Sequence, residues 1–117
     1  MLKEIRKNTR FETIGRVSAQ SLCLFPGIIL NISLEGCRVR FPAIVNPDID
    51  KDYELTVSFS EKDAPDGLIL LGHIKWLETT EESTEIGVNF LHSPSSKPFA
   101  DFINKLQLED QESVCLT

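Results

Sequence analysis

The chain has 117 residues, a formal net charge of −6, 41% hydrophobic and 26% charged residues, six Gly and six Pro. This length allows one domain, the composition excludes collagen-like and disordered chains, and the acidic total argues against long polyanions, whose binding needs an excess of Lys and Arg. The longest apolar run, Leu22 to Leu30, is broken by Pro26 and Gly27, well short of the roughly 18 apolar residues of a membrane-spanning helix, so no membrane insertion is expected.

Residues 1–12 carry Lys3, Arg6, Lys7 and Arg10, with Met1, Leu2, Ile5 and Phe11 as the apolar residues. They read as a flexible basic arm. The charges have no apolar segment behind them, which is not the profile of a secretory signal, and a cytoplasmic chain is expected. From residue 13 the pattern becomes that of strands. A first strand is expected over Thr13 to Gln20, and period-two alternation then puts Ile28, Leu30 and Ile32, next Cys37, Val39 and Phe41, and next Leu55, Val57 and Phe59 on buried faces. Pro42 and the stretch Asn46 to Asp52 interrupt the strands, and Ala64-Pro-Asp-Gly67 predicts a hairpin turn. Leu68 to Leu77 follows, with Ile74 and Trp76 on one face, and Ile86, Val88 and Phe90 come after the polar turn Thr79 to Ser83.

The period changes only near the end. Ser93-Pro94-Ser95-Ser96 offers helix caps, and Phe99, Phe102, Ile103 and Leu106 recur at helical spacing, which predicts an amphipathic helix of about three turns. The expected fold is therefore mainly β: a small six-stranded antiparallel barrel, closed so that no strand edge is left open, with one C-terminal α-helix against it. This unit spans residues 13–108, and residues 109–117 read as an acidic tail. Cys23, Cys37 and Cys115 are an odd number without CxxC spacing and read as reduced structural thiols.

The charge is unevenly placed. Residues 1–40 hold seven basic against three acidic residues, a net +4, and residues 41–117 hold five against fifteen, a net −10. Every arginine lies at or before position 40, and arginine, unlike lysine, forks phosphate or guanine with two parallel donors and stacks on rings. Two spacings stand in this basic part. One is Arg6-Lys-Asn-Thr-Arg10 before the first strand, and the other is Asn31-Ile-Ser-Leu-Glu-Gly36, where a strand enters a turn. In a regular strand Asn31 and Ser33 share a face, forming a ledge of one amide and one hydroxyl, while Gly36 permits a backbone conformation that a side chain would oppose. Arginine forks on O6 and N7 of a guanine, with an amide and a hydroxyl on its other edge, would cover the base.

Arg6-xxx-Arg10 followed by Asn31-x-Ser33-xx-Gly36 resembles the RxxxR and (D/N)xSxxG signature of the PilZ domain, and the resemblance extends from about Arg6 to Leu106, including the Ile74-Lys-Trp76 and Gly87-Val-Asn-Phe90 strands. It implies a stand-alone receptor for the bacterial second messenger cyclic di-GMP. Arg6 and Arg10 would clasp phosphates and guanine edges, Asn31 and Ser33 would hydrogen-bond a guanine, and Gly36 would shape the turn. Asn31 stands where the family has Asp or Asn, and an amide there gives up the charge assistance of a carboxylate. Lys7 and Arg38 are additional candidates for phosphate contacts, and Trp76 for stacking, although its place in the alternation equally suits the core. Ordering of the arm over the ligand would alter the surface offered to a downstream protein partner, in control of motility, exopolysaccharide, pili or virulence.

Three other readings compete. A PilZ-like adaptor working through protein contacts alone would not need the intact signature. A barrel for single-stranded nucleic acid would need aromatic platforms interleaved with basic residues, and most of the nine aromatic residues follow the apolar faces instead. No enzyme is expected, with no catalytic residues, no metal and no cofactor: His73 and His92, the only histidines, have no metal-ligand spacing, and Ser33 lacks a nucleophile elbow.

Overall fold

Alternating burial along the chain resolves into six strands: β1 (Gly15–Ser18), β2 (Gly27–Ile32), β3 (Gly36–Phe41), β4 (Asp52–Phe59), β5 (Leu68–Thr79) and β6 (Thr84–Leu91). The computed structural model describes residues 15–60 and 64–116, with side chains as far as residue 108. All strand pairs are antiparallel, and the order β1-β2-β3-β6-β5-β4 closes through the β1–β4 pair into a barrel. This is the fold class expected from the alternation.

The barrel interior is filled by the residues whose period-two spacing marked them. Val17, Val39, Phe41, Leu55, Val57, Leu70 and Ile86 are essentially inaccessible to solvent. Each such side chain contributes roughly 1.5–3 kcal/mol through removal from water. The β4–β5 turn passes through Gly67 at φ 64°, and the β5–β6 turn is held by Thr80 and Ser83, with the Thr80 N–H donating to the Ser83 carbonyl at 2.9 Å.

Two expected faces are corrected by β-bulges. In β2 the register against β3 slips between Ile29 and Asn31, so Ile29 and Ile32 are buried and Ile28 is 59% exposed; Ile28, Leu30 and Ile32 do not form one inward face. In β5 the register against β6 slips between Ile74 and Trp76, so Ile74 faces the core while Trp76 is 41% exposed. One extra residue in a strand turns everything beyond it to the other face.

Strands β3 and β4 lie on opposite sides of the closed sheet, so the segment joining them crosses one end of the barrel. Thr84 anchors that crossing. Its fully buried hydroxyl accepts the Val45 N–H at 3.0 Å and donates to the Ala43 carbonyl at 2.9 Å. Thr84→Val keeps the shape and leaves both backbone groups without this partner, so a loss of about 2 kcal/mol is expected, read as a lower urea midpoint with an unchanged slope.

The helix, α1 (Ser96–Leu116), starts where the serine cluster predicted: the Phe99 N–H donates to the Ser95 carbonyl at 3.0 Å. Ser95 also grips β5, accepting the Ile69 N–H on its hydroxyl at 2.9 Å and donating its own N–H to the Ile69 carbonyl at 3.1 Å. Phe99, Phe102 and Ile103 are buried, with Phe102 against Phe59 at 4.5 Å between ring centroids and Phe99 edge-on to Phe90 at 5.0 Å. At 21 residues the helix is longer than the three turns expected. Cys23 and Cys37 are buried, and no helix among the described residues is long and apolar enough to cross a membrane.

Candidate functional site

The two bulges meet at one level of the barrel. Asn31 of β2 pairs with Arg38 of β3, Arg38 pairs with Gly87 of β6, and Gly87 pairs with Trp76 of β5. Four neighbouring strands thus contribute one residue each to a single row. Without the slip in β5, Trp76 would stay in phase with inward-facing Ile74, and without the slip in β2, Asn31 would not stand opposite Arg38.

Gly87 gives the row its depth. A Cβ at this position would lie 2.3 Å from Trp76 Nε1 and 2.4 Å from its Cε2, so the indole lies directly against the glycine backbone. Across it, the Arg38 guanidinium carbon stands 5.6 Å from the Trp76 ring centroid, within cation–π range. Asn31, Cys37, Arg38, Lys75, Trp76, Gly87 and Val88 line a depression of about 220 Å³. Gly87→Ala is expected to push the half-exposed ring outward, shifting tryptophan emission to the red at a cost of only about 1 kcal/mol, because the displaced atoms are a movable side chain.

The Asn31–Gly36 segment is arranged differently from the ledge the spacing suggested. β2 ends at Ile32, and Ser33 is fully buried in the turn. Its N–H donates to the Gly36 carbonyl at 2.8 Å, and its hydroxyl accepts the Glu35 N–H at 3.2 Å. Asn31 and Ser33 therefore do not stand side by side on one face; the serine fastens the hairpin from which Asn31 projects. Gly36 is required for a different reason from the one expected. Its φ is not positive, but a Cβ would lie 1.9 Å from the Val88 carbonyl oxygen, so it lets β3 and β6 approach.

Arg38 and Arg40, two apart on the outward face of β3, share one carboxylate. Glu85 accepts Arg38 Nε at 2.9 Å and Nη2 at 2.6 Å on Oε1, and Arg40 Nε at 3.3 Å and Nη2 at 2.9 Å on Oε2. Arg40 foremost, together with Arg38, holds the Glu85 carboxyl below the usual carboxylate range. Among the described residues, no group of three or more His, Cys, Asp and Glu side chains is placed to hold a metal ion.

The structure thus brings together Asn31, Arg38 and Trp76, and it puts Ser33 and Gly36 in the supporting hairpin. Arg6, Lys7 and Arg10 lie outside the described residues. Sequence reasoning missed Lys75, Gly87 and Glu85 as site residues. A glycine inside the strand pattern Ile86-Gly-Val was an available sign of close approach, whereas nothing local marked Lys75 or Glu85.

The profile of the PilZ domain matches residues 4–106. The chain belongs to the PilZ domain family. The match takes in the arm, the whole barrel and the buried face of α1. A search of the curated proteins gives no significant match. PilZ domains are known for binding cyclic di-GMP rather than for catalysis.

Proposed function

We propose that this PilZ domain is a cyclic di-GMP receptor, with the nucleotide seated on the row Asn31–Arg38–Gly87–Trp76 and enclosed by Arg6 and Arg10. The observation that supports this best is the row itself, which combines an amide, a guanidinium and an exposed indole at one level of the barrel. These are the groups suited to a guanine edge, a phosphate and a base face respectively.

The depression of about 220 Å³ falls below the roughly 300–1,000 Å³ of typical small-molecule sites, so a further wall is needed. The arm, residues 1–12, would supply one. It joins the barrel at Gly15, whose Cβ position lies 2.8 Å from Ile29 of β2, two residues before Asn31. Arg10 precedes Gly15 by five positions, and an extended chain covers at most about 18 Å over that span, within which a long arginine side chain can turn back toward the row.

In this reading Arg6 and Arg10 fork the phosphates and guanine edges, Asn31 hydrogen-bonds a guanine, Trp76 stacks, and Arg38 and Lys7 add phosphate contacts. Ser33 and Gly36 hold the hairpin that presents Asn31. Closure of the arm changes the surface met by a downstream protein partner in the cytoplasm, in pathways of motility, exopolysaccharide, pili or virulence. Calorimetric titration of the full chain with cyclic di-GMP tests this, with Trp76, the one tryptophan in the sequence, as a second readout. Saturable heat with a matching change in emission is expected. Absence of both would overturn the reading and favour an adaptor that works without nucleotide.

A further inference from the structure

Glu85 sits in an unusual place for an ordinary surface ion pair. It lies opposite Arg40 in the β3–β6 ladder, one outward position from Arg38, and its side chain is 13% exposed while those of the two arginines are 46% and 50% exposed. Both guanidinium groups turn the same edge to it, Nε and Nη2. That edge is one with which an arginine forks an oxyanion. One carboxylate therefore occupies the forks of two arginines, and one of these, Arg38, also lines the depression with Asn31 and Trp76.

We propose that Glu85 is a specificity-determining residue of the nucleotide site, a built-in carboxylate that competes with the ligand's phosphate for Arg38 and Arg40. This rests on the reading of the row as the nucleotide site. A phosphate that takes the Arg38 fork has to displace Glu85 and then lie beside its negative charge. An isolated phosphate gains too little to offset that. A ligand that also stacks a base on Trp76 and bonds the Asn31 amide offsets it with contacts that Glu85 does not oppose. Glu85 thus rejects simple anions more strongly than it weakens a dinucleotide, which is discrimination by a repulsive element. Net charge reinforces the effect, since two guanidinium groups and one carboxylate leave a single positive charge where the arginines alone would present two.

The test uses the full chain in four forms: unmodified, Glu85→Gln, Arg38→Gln, and the double variant. Each is titrated separately with cyclic di-GMP and with inorganic pyrophosphate, followed by calorimetry and Trp76 emission, with circular dichroism as the check on folding. Glu85→Gln is expected to bind cyclic di-GMP about two- to fivefold more tightly, the range of an exposed ion pair, and to gain a larger factor for pyrophosphate. Both gains should vanish when Arg38→Gln is added. Unchanged or weaker binding of pyrophosphate by Glu85→Gln, or a gain that survives without Arg38, overturns the proposal. If neither Glu85 form binds cyclic di-GMP but Glu85→Gln gains pyrophosphate binding through Arg38, the receptor reading falls and the competition stands. If Glu85→Gln binds neither ligand, both fall. Should Glu85→Gln not fold, Glu85→Asp, which shortens the reach by one methylene, is expected to shift affinity in the same direction, and no shift overturns the proposal.

Discussion

Gly36→Ala is expected to lower the melting temperature of this PilZ domain by roughly 10 °C and to abolish nucleotide binding with it. The added Cβ would lie 1.9 Å from the Val88 carbonyl oxygen, 3.0 Å from its carbonyl carbon and 3.3 Å from Asn89 Cα. All three are backbone atoms of β6, so no side chain can swing aside. Strands β3 and β6 would have to part at the Gly36–Asn89 and Cys37–Val88 rungs, straining the bond from the Phe90 N–H to the Glu35 carbonyl, 2.8 Å long. Overpacking in a rigid setting costs typically 1–3 kcal/mol. Backbone obstruction puts this case at the upper end, about 3 kcal/mol, and for a domain of this size each kcal/mol moves the melting temperature by roughly 4 °C. Binding fails for a linked reason, because the same hairpin projects Asn31 and continues into Arg38. Thermal melting by circular dichroism is the measurement, and a melting temperature within about 2 °C of the unmodified domain would refute the close-approach account of this glycine.

The second large effect is expected at the arm. Arg6→Ala and Arg10→Ala should each weaken cyclic di-GMP binding by about tenfold or more, since one two-pronged arginine contact to a guanine or phosphate contributes roughly 1–3 kcal/mol. Both losses should carry an electrostatic signature. Removing a phosphate-directed cation flattens the dependence of affinity on salt, whereas loss of a purely structural residue leaves that slope in place. Lys97→Ala is the matched control: it removes a positive charge from the exposed face of α1, where Lys97 lies 3.5 Å from Asp101, and is expected to change affinity less than twofold. Equal affinity in both arginine variants would remove the arm from the site. Its failure would leave the Asn31–Trp76 row to be tested alone.

How much of this was legible in the sequence depends on how local each feature is. The strands were legible because inward residues such as Cys37, Val39 and Phe41 repeat at the period of the pleat, and their burial follows directly. The barrel's last structural element was legible from Phe99, Phe102 and Ile103 at helical spacing. Ile28 and Trp76 were misplaced for one shared reason. A bulge is a property of two paired strands, and the slips at Ile29/Asn31 and Ile74/Trp76 exist only against β3 and β6. Trp76 was thus recognised as a candidate by residue type, yet only the register decided between core and surface. The burial of Ser33 was not legible, because the place of its hydroxyl in the turn depends on where β2 ends. Glu85 lies 47 residues from Arg38 and 45 from Arg40, a separation at which spacing carries no information about contact.

Closure of the barrel has a further consequence for how a partner protein is met. Every strand from β1 to β6 has a hydrogen-bonded neighbour on both sides, so among the described residues a peptide meets an open strand edge only where one strand outruns its neighbour, as β5 does beyond His73, the last residue of β5 paired with β4. Recruitment by backbone pairing, which tolerates many peptide sequences because it reads main-chain groups, is confined to such short stretches. A partner that meets the rest of the barrel has to recognise side chains instead. Single substitutions on the outer face, at positions that leave the core untouched, can then uncouple a partner from the domain without unfolding it.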